Sequence, residues 1–312
     1  MPNIAIAAST LPDSPPATLI EWAKVAEGAG LYGIFMTEAN NDSLACSLAL
    51  GMHTQRIMLG TAISNIYLRH PNLLANEAAA VQEFSGGRFI LGLGTGHREG
   101  NAALGIEMGE PLKRMRETVK TLRAMLEGKR TGLTVTRRLP LYLAGVSRPM
   151  VTLAGEIGDG VIFNFFPPQR VKEAMRELAE GARRANRDPS EVTATLFATA
   201  FISEDLEAAR RPARKLLSRY AALRFYGNMI ARCGFQREVE GIRAAGRDAD
   251  AALRAVSNEM IDATLLVGSE SRVRERLQEL CAPGVATAIV FTNPVNEERT
   301  SAVMRTIRAF SR

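Results

Sequence analysis

A chain of 312 residues, 46% hydrophobic and 23% charged, carries enough apolar material for one large barrel or for two average domains. It has no run of about eighteen apolar residues, which excludes a membrane-spanning helix on length. The net charge is +6, but the arginine-rich tract from Arg210 to Arg254 has few aromatics and reads as solvated helix faces in preference to a nucleic-acid surface.

The amino terminus, Met1-Pro2-Asn3-Ile4, has no basic region ahead of its apolar segment, which argues against a signal peptide and for a cytoplasmic protein. Cys46, Cys233 and Cys281 lack the paired spacing of a zinc site or a disulfide framework and read as inert thiols. Three scattered histidines, His53, His70 and His97, assemble no metal site.

In chain order, Asn3 to Ser9 is the first predicted strand, followed by a helix from Pro16 to about Ala29 with Leu19, Trp22, Ala23 and Ala26 on one face. Gly33 to Glu38 is the second strand, and Ser43 is the expected cap of a helix reaching His53. Ile57 to Ile63 is the third, followed by a helix from Pro71 to Phe84. The fourth strand runs through Phe89-Ile90-Leu91 into the turn Gly92-Leu93-Gly94-Thr95-Gly96-His97, where glycines leave room for something flat or anionic. A dinucleotide fingerprint is disfavoured there, because the third glycine is missing and the next helical pattern starts only near Pro111. The long loop between is expected to serve an active site.

Leu112, Met115, Val119, Leu122 and Leu126 stripe a helix expected to end at Gly128, and the polar stretch from Lys129 to Leu139 suggests a hairpin. Leu141 to Ala144 is the fifth strand, Arg148 to Ile157 a helix, Gly160 to Asn164 the sixth strand, and Pro168 to Arg187 a helix. Val192 to Ile202 and Val285 to Thr292 complete eight strands, with a last helix from about Glu298. This alternation predicts an α/β fold, a (β/α)8 TIM barrel forming one domain over 1–312, with a helical insertion at about 204–281 between strands seven and eight.

Barrels place chemistry at the carboxyl ends of their strands. Glu38 there is either a functional carboxylate or a rim residue paired to a neighbour. Gly145, Val146, Ser147 and Arg148 open a helix at Pro149, as an anion site or as an ordinary capped helix with a solvent-facing arginine. His97 is a proton donor to substrate or a loop histidine that binds phosphate or orders backbone.

Taken together, Thr37-Glu38-Ala39, Leu59 to Asn65, Arg69-His70-Pro71, Gly87 to His97, Leu153 to Gly160 and Val267-Gly268-Ser269 make the chain resemble the luciferase-like flavin and deazaflavin oxidoreductases, in their F420-dependent branch. The resemblance implies hydride transfer between coenzyme F420 and a small organic substrate, with FMN as the alternative cofactor. It implies a non-prolyl cis peptide at Ala62 to Ile63 behind the ring, with Glu38 and Asn65 hydrogen-bonding the ring or its side chain. Thr95 and Gly96 are implied ring neighbours, His97 a catalytic group with Glu38, and Gly145 to Arg148 the phosphate loop, here in a Gly-Val-Ser-Arg-Pro form. A homodimer belongs to the same expectation. The rivals are an FMN-dependent monooxygenase on the same barrel and a non-catalytic barrel that only binds a flavin-like ligand.

Overall fold

The structure, a computed structural model, describes residues 2–11, 14–38, 41–127 and 136–311. Strands β1 (Asn3–Ala8), β2 (Gly33–Met36), β3 (Met58–Thr61), β4 (Ser64–Asn65) and β5 (Phe89–Gly94) alternate with helices α1 (Pro16–Gly28), α2 (Ser43–His53) and α3 (Pro71–Phe84). Then come α4 (Arg98–Ala103), α5 (Pro111–Leu126), β6 (Leu141–Ala144), α6 (Arg148–Ile157), β7 (Gly160–Asn164), α7 (Pro168–Arg184) and β8 (Thr193–Ile202). The insertion holds α8 (Leu206–Ala222), α9 (Arg224–Ile230), α10 (Gln236–Ala244), α11 (Ala249–Arg254), α12 (Asn258–Thr264) and β9 (Leu266–Gly268). Helix α13 (Glu270–Cys281), β10 (Thr287–Asn293) and α14 (Arg299–Phe310) finish the chain.

Eight of these strands, in the order β10-β1-β2-β3-β5-β6-β7-β8, pair in parallel, and β8 pairs back onto β10 to close the barrel. The predicted fold class is therefore observed. Helix starts follow local chemistry: α1, α3, α5 and α7 open with proline in the first turn, where its missing N–H costs nothing. Helices α8, α11, α12 and α13 are capped by Asp205, Asp248, Ser257 and Ser269.

Ala5, Ala7, Phe35, Ile90, Tyr142, Ile162 and Ile289 fill the barrel interior, while the larger core lies between barrel and helices. The motif Ala154-Gly155-Glu156-Ile157-Gly158-Asp159 is structural. A side chain on Gly155 would be driven into the Leu178 carbonyl of α7. Asp159 takes Arg123, the Leu141 amide at 2.8 Å and Arg138 at 2.5 Å, which anchors the start of β6.

Several expectations need correction. Asp42, not Ser43, caps α2, accepting from the amides of Leu44 and Ala45 at 2.9 and 3.0 Å. A helix does open directly after His97, the short α4, so the expected long loop is half its expected length. The insertion is not wholly helical: β9 extends the sheet by pairing with Ala200 to Ile202. Most of the expected hairpin at 129–139, and the helix end at Gly128, lie outside the described residues.

The glycines of the fourth barrel strand also serve another purpose than expected. A Cβ on Gly92 would be driven into the Thr61 carbonyl oxygen, and one on Gly94 into the Ile63 side chain. They let the end of β3 press against β5; the neighbour they admit is protein, not ligand. Gly92→Ala is expected to destabilise the fold by about 2 kcal/mol or more, since backbone cannot step aside. Gly100→Ala in α4, with open space around it, is the control, expected neutral or stabilising by about 0.5 kcal/mol. Urea unfolding of the pair checks this.

Candidate functional site

Because every barrel pairing is parallel, the carboxyl ends of β2, β3, β5, β6 and β7 share one mouth. All the sequence-predicted site residues stand there. Between Thr61 and Ser64 the chain leaves the ladder, and the peptide joining Ala62 to Ile63 is cis, at the position implied by the resemblance. Thr61 Oγ1 donates to the Gly92 carbonyl at 2.7 Å and the Ala62 amide to the Met36 carbonyl at 2.8 Å. Ala62 and Ile63 themselves are half-buried.

Glu38 holds this bulge from behind. Its Oε2 accepts from the Asn65 amide at 2.6 Å and its Oε1 from Ser43 Oγ at 3.0 Å, while Ser43 meets Ser64 at 2.6 Å. Arg69 completes the set, contacting Glu38 at 2.5 Å, Asp42 at 2.8 Å and Glu77 at 2.9 Å through three different nitrogens. The Glu38 and Arg69 side chains are only 4% and 9% exposed. Of the two readings open for Glu38, the geometry is that of the paired residue, with both oxygens occupied by protein donors.

Asn65 is likewise engaged. Its Nδ2 donates to Asn101 Oδ1 at 2.8 Å and its Oδ1 accepts from the Tyr67 amide at 3.1 Å, while Asn101 Nδ2 donates to the Thr95 carbonyl at 2.9 Å. This chain ties the bulge to the Thr95-Gly96 turn, where Gly96 has φ +63° and a side chain would strike Asn65. Removing Arg69 would leave three acids crowded together. Arg69→Met is expected to cost about 3 kcal/mol at neutral pH. The deficit should shrink as pH falls toward about 4 and Asp42 and Glu77 protonate, a trend that urea unfolding at several pH values would check.

At the end of β6, Gly145 is buried against Val151, which brings the chain tightly into α6. Ser147 occupies the N-cap position but its side chain caps nothing, unlike the expected Ser147 cap. Among the described residues, the amides of Val146, Ser147 and Arg148 have no hydrogen-bond partner. The Arg148 guanidinium is 64% exposed and bonded to Glu180 at 3.1 Å. Three free amides at a helix start, with a guanidinium beside them, can receive an anion.

His97 stands between β5 and α4, its ring 5.5 Å from both Tyr220 and Tyr226, which α8 and α9 of the insertion bring over the mouth. Phe165, directly after β7, meets the same tyrosines at 4.8 and 5.5 Å. These rings were not identified from sequence, although Tyr220, Phe225 and Tyr226 fall close together inside the arginine-rich tract. Burial lowers the His97 pKa; Glu99 opposes the shift and Arg219 adds to it. The unfolded chain then binds this proton more readily, so stability rises with pH. The loss begins as pH falls through the ordinary histidine value near 6.5 and is complete below the lowered one. On acidification from pH about 7.5 to about 5, Tm of His97→Gln should fall less than that of the parent chain, as calorimetry would show.

The profile of a family described as luciferase-like monooxygenase matches residues 4–287. A 5,10-methylenetetrahydromethanopterin reductase of Methanolobus tindarius is 28% identical, over 94% of this chain and 95% of its own. The structure of a coenzyme F420 dependent tetrahydromethanopterin reductase from Methanopyrus kandleri matches with a TM-score of 0.82 at 24% identity, covering 99% of this chain and 98% of that one. An F420-dependent secondary alcohol dehydrogenase, solved with an F420-acetone adduct, shares the fold with a TM-score of 0.77 at 18% identity, covering 99% and 98%. With most of its length matched, the chain belongs to the luciferase-like monooxygenase family, a family of enzymes.

Proposed function

We propose that this chain is an oxidoreductase that transfers hydride between coenzyme F420 and a small organic substrate. The observation that carries the reading is the convergence at one mouth of an apolar bulge and a helix start with three unpaired amides. The residues present fit such a group. Ala62, Ile63, Ala144, Phe197 and Phe291 pack onto the interior core yet remain half-buried, a floor suited to a flat ring. The amides of Val146, Ser147 and Arg148 suit a phosphate. The names of the Methanopyrus kandleri reductase and of the alcohol dehydrogenase, both of which include F420, support F420 over FMN.

A bound deazaflavin supplies the hydride chemistry, and the protein supplies placement. Ala62 and Ile63 would line the face of the ring. Glu38, fixed by Arg69, keeps the bulge in place, and Asn65 with Asn101 sets the Thr95-Gly96 turn beside it. Arg148, bonded to Glu180 at 3.1 Å, would help hold the phosphate. His97, neutral at pH 7, can accept or return one proton at a ring nitrogen next to the substrate. Tyr220 and Tyr226 shield the mouth from water. A homodimer belongs to the same reading: α2 has no Asp, Glu, Lys or Arg, and Met52 on it is 60% exposed. We place the protein, as a single domain, in the cytoplasm.

Titrating apoprotein with F420 and with FMN, followed by absorbance, tests the cofactor, and light scattering on the same sample reads the dimer. F420 should bind and FMN bind poorly; the reverse supports the monooxygenase rival. Binding of F420 without turnover of any substrate supports the non-catalytic one. Arg148→Ala should weaken F420 binding about 10-fold and leave kcat nearly unchanged, as expected of one charge-assisted contact to a bound anion. A fall in kcat at unchanged affinity would overturn the phosphate assignment.

A further inference from the structure

We propose that the substrate is an uncharged, flat, conjugated molecule carrying a hydrogen-bond acceptor such as a ketone, seated at His97, Phe165, Tyr220 and Tyr226, with the Tyr226 hydroxyl donating to that acceptor. The proposal rests on the reading of the mouth as an oxidoreductase site and names what that site takes.

Three segments distant in sequence build this wall: the turn after β5, the residue after β7, and the α8–α9 junction of the insertion. The ring pairs meet at 79°, 59°, 63°, 72° and 82°, edge to face or tilted. None of these pairs is stacked, so the stacking mode that favours a flat guest is not used up within the wall. Phe165 is buried with φ +57°, a backbone conformation that costs a non-glycine residue about 1 kcal/mol or more and is kept where surroundings impose it.

The wall carries no fixed charge. His97 and Tyr226 are both pushed toward their neutral forms by burial, while Arg98, Glu99 and Arg219 stay exposed at the rim. Its one polar pair is unfinished. Asn164 Nδ2 donates to Tyr226 Oη at 3.1 Å, yet among the described residues the Tyr226 hydroxyl has no acceptor and the buried Asn164 Oδ1 has no partner. A hydroxyl that already accepts a hydrogen bond is polarised to donate one, and a neutral carbonyl is the group that completes it.

The test uses the full apoprotein and para-dimethylaminoacetophenone, a flat ketone whose absorbance moves to longer wavelength when its carbonyl accepts a hydrogen bond. Cyclohexyl methyl ketone, with the same acceptor and no flat ring, is the competitor. The parent chain should bind the probe with the shifted spectrum, and the competitor should bind up to about 10-fold more weakly. Tyr226→Phe keeps the ring and should weaken probe binding about 3- to 10-fold with loss of the spectral shift. Tyr220→Leu leaves the Tyr226 hydroxyl in place and should lose the preference for the flat ketone while keeping the shift. An unchanged affinity and spectrum in Tyr226→Phe, equal binding of the two ketones, or no probe binding to the parent chain would overturn the proposal. Failure of F420 to bind the parent chain would instead sink the cofactor reading, a separate outcome because the probe is read without cofactor.

Discussion

Arg69 directs three nitrogens at three carboxylates, and what it fixes is the path of the chain where the barrel stops being regular. A ladder of backbone bonds positions β3 beside β5 only at Leu59 and Gly60, and resumes at Ser64. In between, side chains replace the ladder: Thr61 reaches Gly92, and Glu38 takes the amide of Asn65. Burying Glu38 and Arg69 to do this is an expensive way to gain stability, because desolvation offsets most of the attraction. The arrangement makes sense as a means of holding one unusual backbone shape. The mouth depends on that shape, because the bulge is the surface on which a ring can lie.

The two ends of the barrel divide stability from chemistry. At the amino end, Asp159 with Arg123 and Arg138 fastens β6 through a network that occupies both carboxylate oxygens. At the carboxyl end, groups are left over: three amides before α6, one phenol, one carboxamide oxygen. Among the described residues, buried polar atoms without a partner occur elsewhere too, at Trp22 and Thr118 for example, but at the mouth such groups stand together, and a ligand there can complete them. Floor and wall also differ in origin. The floor comes from the barrel strands, while two rings of the wall come from the insertion, so on the function proposed above substrate preference can change without disturbing the floor.

Periodicity made the strands and most of the helices legible, because burial on a cylinder of strands or on one helix face repeats at a fixed interval. It could not give partners. Glu38 stood out as an acid after an apolar strand, but its choice of Arg69, 31 residues on, is a tertiary fact with no local signature. Gly92 and Gly94 looked like room for a ligand and proved to be room for Thr61 and Ile63; glycine spacing shows that something comes close, not what. The position of the cis peptide came from the resemblance alone. Tyr220 and Tyr226 were hidden by their setting, since arginine-rich amphipathic helices read as solvated surface and the tight break at Leu223 that turns both rings inward has no composition signal.

Neutral aromatic groups around the mouth bear on any reaction proposed there that builds negative charge on a substrate atom. The Arg219 guanidinium belongs to an exposed residue and stands over the Tyr220 ring at 5.5 Å, so this positive charge is kept at the edge. Within the wall, stabilisation falls to dipoles and transferable protons: a phenol held protonated by burial, a carboxamide that orients it, and an imidazole kept neutral. Such groups stabilise developing charge more than they stabilise an uncharged ground state, because their contribution grows as the acceptor becomes more negative. A fixed cation would bind anionic products tightly and slow their release. The same burial that lowers the His97 pKa therefore suits the mouth to a neutral substrate that becomes charged only in passing.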